Sequence, residues 1–211
     1  MAALVKHGIT DKTAKQLLFR AGVYYKGFKV TGSTFDGTVL GATSGGGKIT
    51  IEQEYLDAEL DGAGVKLKGA KNKVGETATM EINFTEIRSD VIATGLHMKK
   101  DAEFSDVAGY EKYSSQDDIT DADYEENVAF AGQLNSGKFA IVVFHNAFCT
   151  GSVELEPKNK EQLTYAQTYE GHATVDQDGL FHLPIDMYFP TEAGLLAKAT
   201  PEQVETELQE V

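Results

Sequence analysis

Tryptophan is absent, cysteine occurs once and proline four times in 211 residues. Without tryptophan there is no indole platform of the kind that stacks on sugars. Cys149 alone cannot close an internal disulfide, which suits a reducing cytoplasm and leaves the thiol the role of a small residue beside an apolar strand. Basic residues are scarce too: nineteen Lys and Arg stand against 33 Asp and Glu, for a net charge of −14. They are too dispersed for the counterion-releasing grip on phosphates that nucleic-acid binding requires. No apolar run approaches the ~18–20 residues of a membrane span, and the first residues lack a secretory pattern. A soluble protein with no membrane partner, retained where it is made, is expected.

What is present points to a folded β protein. At this length a compact chain buries ~70% of its unfolded surface, so one domain over residues 1–211 is expected to hold without disulfide, metal or cofactor. Glycine, at 21 residues, exceeds the usual ~7% and leans the chain towards strands and turns. Residues 10–22 predict a short helix, opened by Thr10 and Asp11 and closed by Gly22. Residues 23–30 are β-branched and aromatic and predict a strand. From 31 to 48 the chain is small and polar and predicts a flexible loop. Residues 48–60 predict a long strand whose alternation slips near Gln53, as a β-bulge would cause. A turn at 61–64 and a short strand at 65–68 follow.

The clearest alternation puts Val74, Ala78, Met80, Ile82 and Phe84 on one face and Thr77, Thr79, Glu81, Asn83 and Thr85 on the other. A helix over residues 89–98, capped by Ser89 or Asp90, aligns Ile92 with Leu96 and ends on Lys99 and Lys100. Residues 101–126 hold ten acids and one lysine and predict an acidic loop or insertion. Strands are expected at 128–131 and 139–144, the latter buried on both faces, around a turn at 135–137. Further alternation marks 153–156 and 164–175, with Tyr165, Tyr169, Ala173 and Val175 opposite Thr164, Thr168, Glu170, His172 and Thr174. Residues 180–189 predict an edge strand, because Pro184 cannot donate to an inner ladder. Within the C-terminal segment 191–211, Thr200-Pro201-Glu202-Gln203 is a capping box followed by Val204, Leu208 and Val211 on one side, which predicts a helix or a frayed segment that pairs with a partner.

Tests for chemistry return little. Ser44-Gly45-Gly46-Gly47-Lys48 departs from a phosphate loop at Ala42 and Ile49 and precedes a strand rather than a helix. Asp121-Ala122-Asp123-Tyr124-Glu125 opens like a calcium loop but has Glu126 where glycine is needed and Gly132 where the bidentate glutamate belongs. The five histidines show no ligand spacing, so no metal site is expected, and His172 is read as a hydrated side chain. No nucleophile elbow is present. Paired glycosidase carboxylates are uninformative among so many acids.

Two blocks, spanning about two thirds of the chain, resemble the major tail protein, or tail tube protein, of long-tailed bacteriophages. The first is Leu40-Gly41-Ala42-Thr43-Ser44-Gly45-Gly46-Gly47-Lys48-Ile49-Thr50-Ile51-Glu52, continuing through Asp61-Gly62-Ala63-Gly64-Val65-Lys66-Leu67-Lys68-Gly69 to Glu81-Ile82-Asn83-Phe84-Thr85-Glu86-Ile87. The second holds Ile119-Thr120-Asp121-Ala122-Asp123-Tyr124-Glu125-Glu126-Asn127-Val128, Phe144-His145-Asn146-Ala147-Phe148, Gly171-His172-Ala173 and Leu183-Pro184-Ile185.

The resemblance implies a mainly β fold, a β-sandwich or tail-tube-type barrel with a flanking helix. It implies six copies per ring and rings stacked into a tube through which double-stranded DNA leaves without specific binding. It further implies a virion tail assembled in the host cytoplasm, with tape measure, tail terminator and distal tail proteins as partners, and no enzyme activity. On that basis Glu52, Glu54, Thr77, Thr79, Glu81, Asn83, Thr85, Thr168, Glu170, His172 and Thr174 are lumen candidates. Phe35, Asp36, Thr43, Ser44, Gly45, Gly46, Gly47 and Lys48, in the loop over 31–48, are candidates to reach the adjacent ring. Shortening 43–47 is then expected to leave a folded subunit that does not polymerise. The alternatives are a β-sandwich adhesin or carbohydrate-binding module, and a hydrolase with paired carboxylates.

Overall fold

The computed structural model describes residues 8–10, 12–18, 22–32, 34–59, 61, 65–157, 159–191 and 193. In chain order they form a helical turn α1 (Thr13–Gln16) and strands β1 (Val23–Thr31), β2 (Thr34–Val39), β3 (Thr43–Asp57) and β4 (Lys71–Phe84). Helix α2 (Ser89–Gly95), β5 (Met98–Lys100), β6 (Tyr113–Ser115) and a 3₁₀ turn at Asp121–Asp123 follow. The chain continues with β7 (Tyr124–Gln133), β8 (Phe139–Cys149), β9 (Tyr165–Glu170), β10 (Thr174–Val175), β11 (Phe181–His182) and β12 (Ile185–Tyr188). The protein is mainly β, as its composition suggested.

The principal sheet is antiparallel, in the order β2-β1-β7-β8-β9-β4-β3, with β12 also paired to β8. β8 is the joint: residues 141–144 pair with β12, while Phe148 and Cys149 pair with β9. The sheet folds over there, so that Tyr24, Val128 and Phe144 from one side meet Met80, Ile82, Phe84, Tyr165 and Tyr169 from the other in one core. The two ends of the strand order are joined by only three residues between β2 and β3. Leu40, 1% exposed, plugs this crossover and donates its N–H to the Tyr24 carbonyl at 2.9 Å. Each such large apolar side chain contributes about 1.5–3 kcal/mol of burial free energy. A second, smaller cluster of Phe28, Ala129, Ala131, Ile141 and Val143 lies on the other face of β7 and β8.

Local irregularities decide which side chains reach which layer. In β1 a register shift between Lys26 and Lys29, with Gly27 at φ +60°, turns Phe28 from the side of Tyr24 to the second cluster. The β3–β4 register also shifts where the sequence analysis expects it, but the additional residue is Val74 of β4, lying between the pairs Glu54–Gly75 and Tyr55–Lys73. Val74 is accordingly exposed rather than part of the core.

Several expectations are corrected. Residues 31–48 are not a loop: they supply β2 and the start of β3. Residues 44–46 form a wide bulge opposite Asn83, whose Nδ2 donates to the Gly46 carbonyl at 3.1 Å. Gly45 and Gly46 adopt φ of +79° and +77°, which glycine tolerates, and a side chain at Gly47 would lie 2.5 Å from the Glu81 carbonyl. Their glycines serve the ladder, so shortening 43–47 removes strand residues. The first helix stops at Gln16 because the β7–β8 turn caps it: the Asn135 and Ser136 amides donate to the Leu17 and Lys15 carbonyls.

Helix α2 ends at Gly95 and buries Val91, Ala93 and Gly95 rather than a stripe of Ile92 and Leu96. Its start is held by Asp90, which bonds Arg88 and Lys26, and Lys99 and Lys100 belong to β5. Among the described residues, 65–68 and 153–156 are not strands, because no neighbour pairs with them. Residues 101–126 are partly ordered into β6, which pairs with β5, the 3₁₀ turn and the start of β7. Ala173 and Val175 are exposed. Pro184 precedes β12, which among the described residues pairs with β8 alone, as an edge strand should. The helix expected within 191–211 lies outside the described residues.

Candidate functional site

Opposed residues of adjacent strands project to the same side of a sheet, so the register defines a face directly. Across β3, β4 and β9 the rows read Lys48–Glu81–Thr168 and Thr50–Thr79–Glu170, with Glu52 opposite Thr77 and Glu54 opposite Gly75. Asn83 continues this parity next to the glycine bulge. The opposite parity, with Ala78, Met80, Ile82, Phe84, Tyr165, Gln167 and Tyr169, is fully or almost fully buried. Of the eleven lumen candidates, eight therefore share one outward face: Glu52, Glu54, Thr77, Thr79, Glu81, Asn83, Thr168 and Glu170.

The other three are not on it in the same way. Thr85 lies just beyond β4, its hydroxyl donating to the Leu163 carbonyl at 3.2 Å. His172 is not a freely hydrated strand residue. Its ring stands edge-on to Tyr124 and Phe148 at 5.4 and 6.1 Å, at the border of the face. Thr174 is exposed on the separate β10–β11 ribbon, opposite His182. The face also contains residues that the strand parity alone does not flag. Thr50 completes a row, and Lys48, expected in a loop, stands beside Glu81. The row through Glu170 extends to Phe148 and Tyr124. His97 stacks on Phe148 at 4.2 Å and bonds the Cys149 carbonyl through Nε2 at 2.8 Å. Only β8 brings these aromatics next to β9, and nothing in the local pattern announces that neighbour.

The electrostatics of the face are simple. Four carboxylates (Glu52, Glu54, Glu81 and Glu170) and one ammonium (Lys48) lie among hydroxyls, and no row sets two acids directly opposite one another. Direct like-charge opposition across strands is thereby avoided while the surface stays acidic. At its end a cleft of about 590 Å³ is lined by Asn83, Ser152, Glu154, Glu156, Glu161 and Thr164, among others.

The remaining candidates take structural places. Phe35, in β2, stacks on Phe28 and meets Tyr188 edge-on, both at 5.9 Å, and Asp36 accepts the Gly37 N–H. Thr43, Ser44, Gly45, Gly46, Gly47 and Lys48 open β3.

Burial pushes the Cys149 thiol above its ordinary value, away from the thiolate a nucleophile needs. His145 bonds Asn127 at 2.6 Å and Asp186 at 3.0 Å, tying β12 to β8. Hydrogen bonds from the Thr120 N–H and then its hydroxyl hold the Asp123 carboxyl below its usual range, within a capping box rather than a calcium loop. Among the described residues no group of three or more His, Cys, Asp or Glu side chains is placed to hold a metal.

No family model matches the chain, and no curated protein matches it. Among solved structures it is similar to a chain of a structure described as the virion of a native gene transfer agent particle. That similarity has 12% identity and a TM-score of 0.37, over 72% of this chain and 92% of that one.

Proposed function

We propose that this protein is a structural subunit that joins identical copies into stacked rings, six to a ring, forming the tail tube of a long-tailed phage-type virion. In this reading the outward face of β3, β4 and β9 lines the bore. The supporting observation is the division of β9 and of β4 from Thr77 to Phe84 into a buried, mainly apolar side and an acid-weighted, threonine-rich side, which β3 continues with half-buried Ile49 and Ile51 behind Lys48, Thr50 and Glu52. Such a wall suits the passage of a duplex that carries one negative charge per ~1.7 Å, since carboxylates repel phosphates and hydroxyls hold them weakly. β3 ends the strand order with one edge unpaired among the described residues. Pairing of that edge with the next copy would extend the sheet around the axis and remove the exposed edge. Tail localisation, assembly in the host cytoplasm, and contact with tape measure, terminator and distal tail proteins belong to the same reading.

Negative-stain microscopy of concentrated protein tests it: rings or hollow tubes are expected, and a solitary subunit at every concentration overturns it. The lining is tested separately with Glu81→Lys and Glu170→Lys together. Tubes of this variant are expected to form and to retain duplex DNA at low salt, where wild-type tubes do not.

A further inference from the structure

Beyond the contact with β9, the outer ends of β3 and β4 form a two-stranded arm with no third strand among the described residues. Such ribbons are marginal in water unless something packs on them. This one exposes Leu56 and Val74, at 62% and 56%, and the segment joining its strands exposes Val65 and Leu67, at 74% and 50%. Its second limb is also a basic stretch of an acidic protein: residues 65–75 contain Lys66, Lys68, Lys71 and Lys73 and no acid. The converse surface is residues 101–126, with ten acids and one lysine, where Asp106, Asp117, Asp118 and Asp121 are exposed beside Val107, Tyr110 and Ile119.

Both segments use part of their charge internally. Lys66 and Lys71 pair with Asp57, Lys73 with Glu76, Lys100 with Glu111 and Lys112 with Asp101. Among the described residues no hydrogen bond or ion pair joins the arm to the acidic segment of its own chain. Both surfaces combine exposed apolar side chains with charge of opposite sign, which is the complementarity that steers and registers an interface.

We propose that the β3–β4 arm docks on the acidic segment 101–126 of a second copy of this chain. The inference rests on the self-assembling reading above and gives it a specific contact. The test uses two charge-reversed full-length proteins. One carries Lys68→Glu and Lys71→Glu, leaving the 2.6 Å Lys66–Asp57 pair in place; the other carries Asp117→Lys and Asp118→Lys. Association is measured by sedimentation velocity at low and moderate salt, with far-ultraviolet circular dichroism to verify folding.

Each protein alone is expected to associate at least about tenfold more weakly than wild type, and their equimolar mixture to recover to within about threefold. Lys68→Gln, milder at an exposed site, is expected to give a smaller loss in the same direction. Wild-type rings that persist unchanged in both reversed proteins overturn this contact and leave the tube reading standing. A mixture that does not recover association, or an arm that binds duplex DNA instead of another copy, also overturns it. A wild-type protein that never associates overturns both.

Discussion

Between Ala78 and Phe84, β4 lies between β3 and β9, and its even-numbered side chains are fully buried. Between Lys71 and Thr77 the same strand has only β3 beside it among the described residues, and its additional residue, Val74, is 56% exposed. Both halves are paired along β3, but only the inner one alternates in burial. The difference shows that pairing with one neighbour is not enough: a third strand and a second layer are needed to make one face a core. The outer half closes with polar contacts instead: Glu76 accepts from Gln53 and Lys73, which hold its carboxyl below the usual range, and Lys71 lies over the Tyr55 ring.

The sharpest break of this contrast is Ile82→Ala, which should cost about 2–5 kcal/mol in urea denaturation by opening a cavity among fully buried neighbours. Next is Gln167→Leu, at the centre of β9. Gln167 is buried, donates to the Val91 carbonyl at 3.0 Å and accepts from the Tyr169 hydroxyl at 2.9 Å, so the apolar replacement strands both partners. A loss of about 2–3 kcal/mol is expected, with wild-type-like secondary structure.

Asp90→Asn examines the end of the sheet where Lys26 of β1 meets α2. Burial would raise the Asp90 carboxyl, but hydrogen bonds from Arg88 and Lys26 outweigh it and hold it at about 2. A depressed carboxyl stabilises the fold above its unfolded value near ~4 and loses that contribution as pH falls through the folded value. Asp90 is 38% exposed, so solvent screening limits the effect to about 1 kcal/mol. The stability gap between wild type and variant at neutral pH should close as pH drops from ~4 to ~2. The smallest effect belongs to Val74→Ala, under about 0.5 kcal/mol; a loss as large as that of Ile82→Ala would show that the arm has a core of its own.

Much of the sheet was legible because period-two alternation is a property of the strand itself. Ala78, Met80, Ile82, Phe84, Tyr165 and Tyr169 follow it, as do the polar positions between them. The register shift in the β3–β4 pair was legible as a loss of phase, though not which strand held the additional residue. The glycine run was not legible as a bulge, since a sequence of small residues looks the same in a flexible loop and in a bulge whose φ values require glycine. The burial of Gln167 was not legible, because amide side chains give no burial signal and its partners arrive from α2 and from Tyr169. His172 was read as hydrated because Tyr124 and Phe148 are distant in sequence.

The amino-acid sequence by itself determined that the protein is mainly β, that its strands carry one apolar and one polar side, and that its charge is strongly acidic. These follow from composition and from the local geometry of extended backbone. Only the tertiary structure decided that β9 lies against β4, that eight polar candidates consequently share one face, and that the outer part of β3 and β4 stands as an arm. Strand neighbours are chosen by packing between residues far apart in the chain, and that choice leaves no periodic mark within either strand.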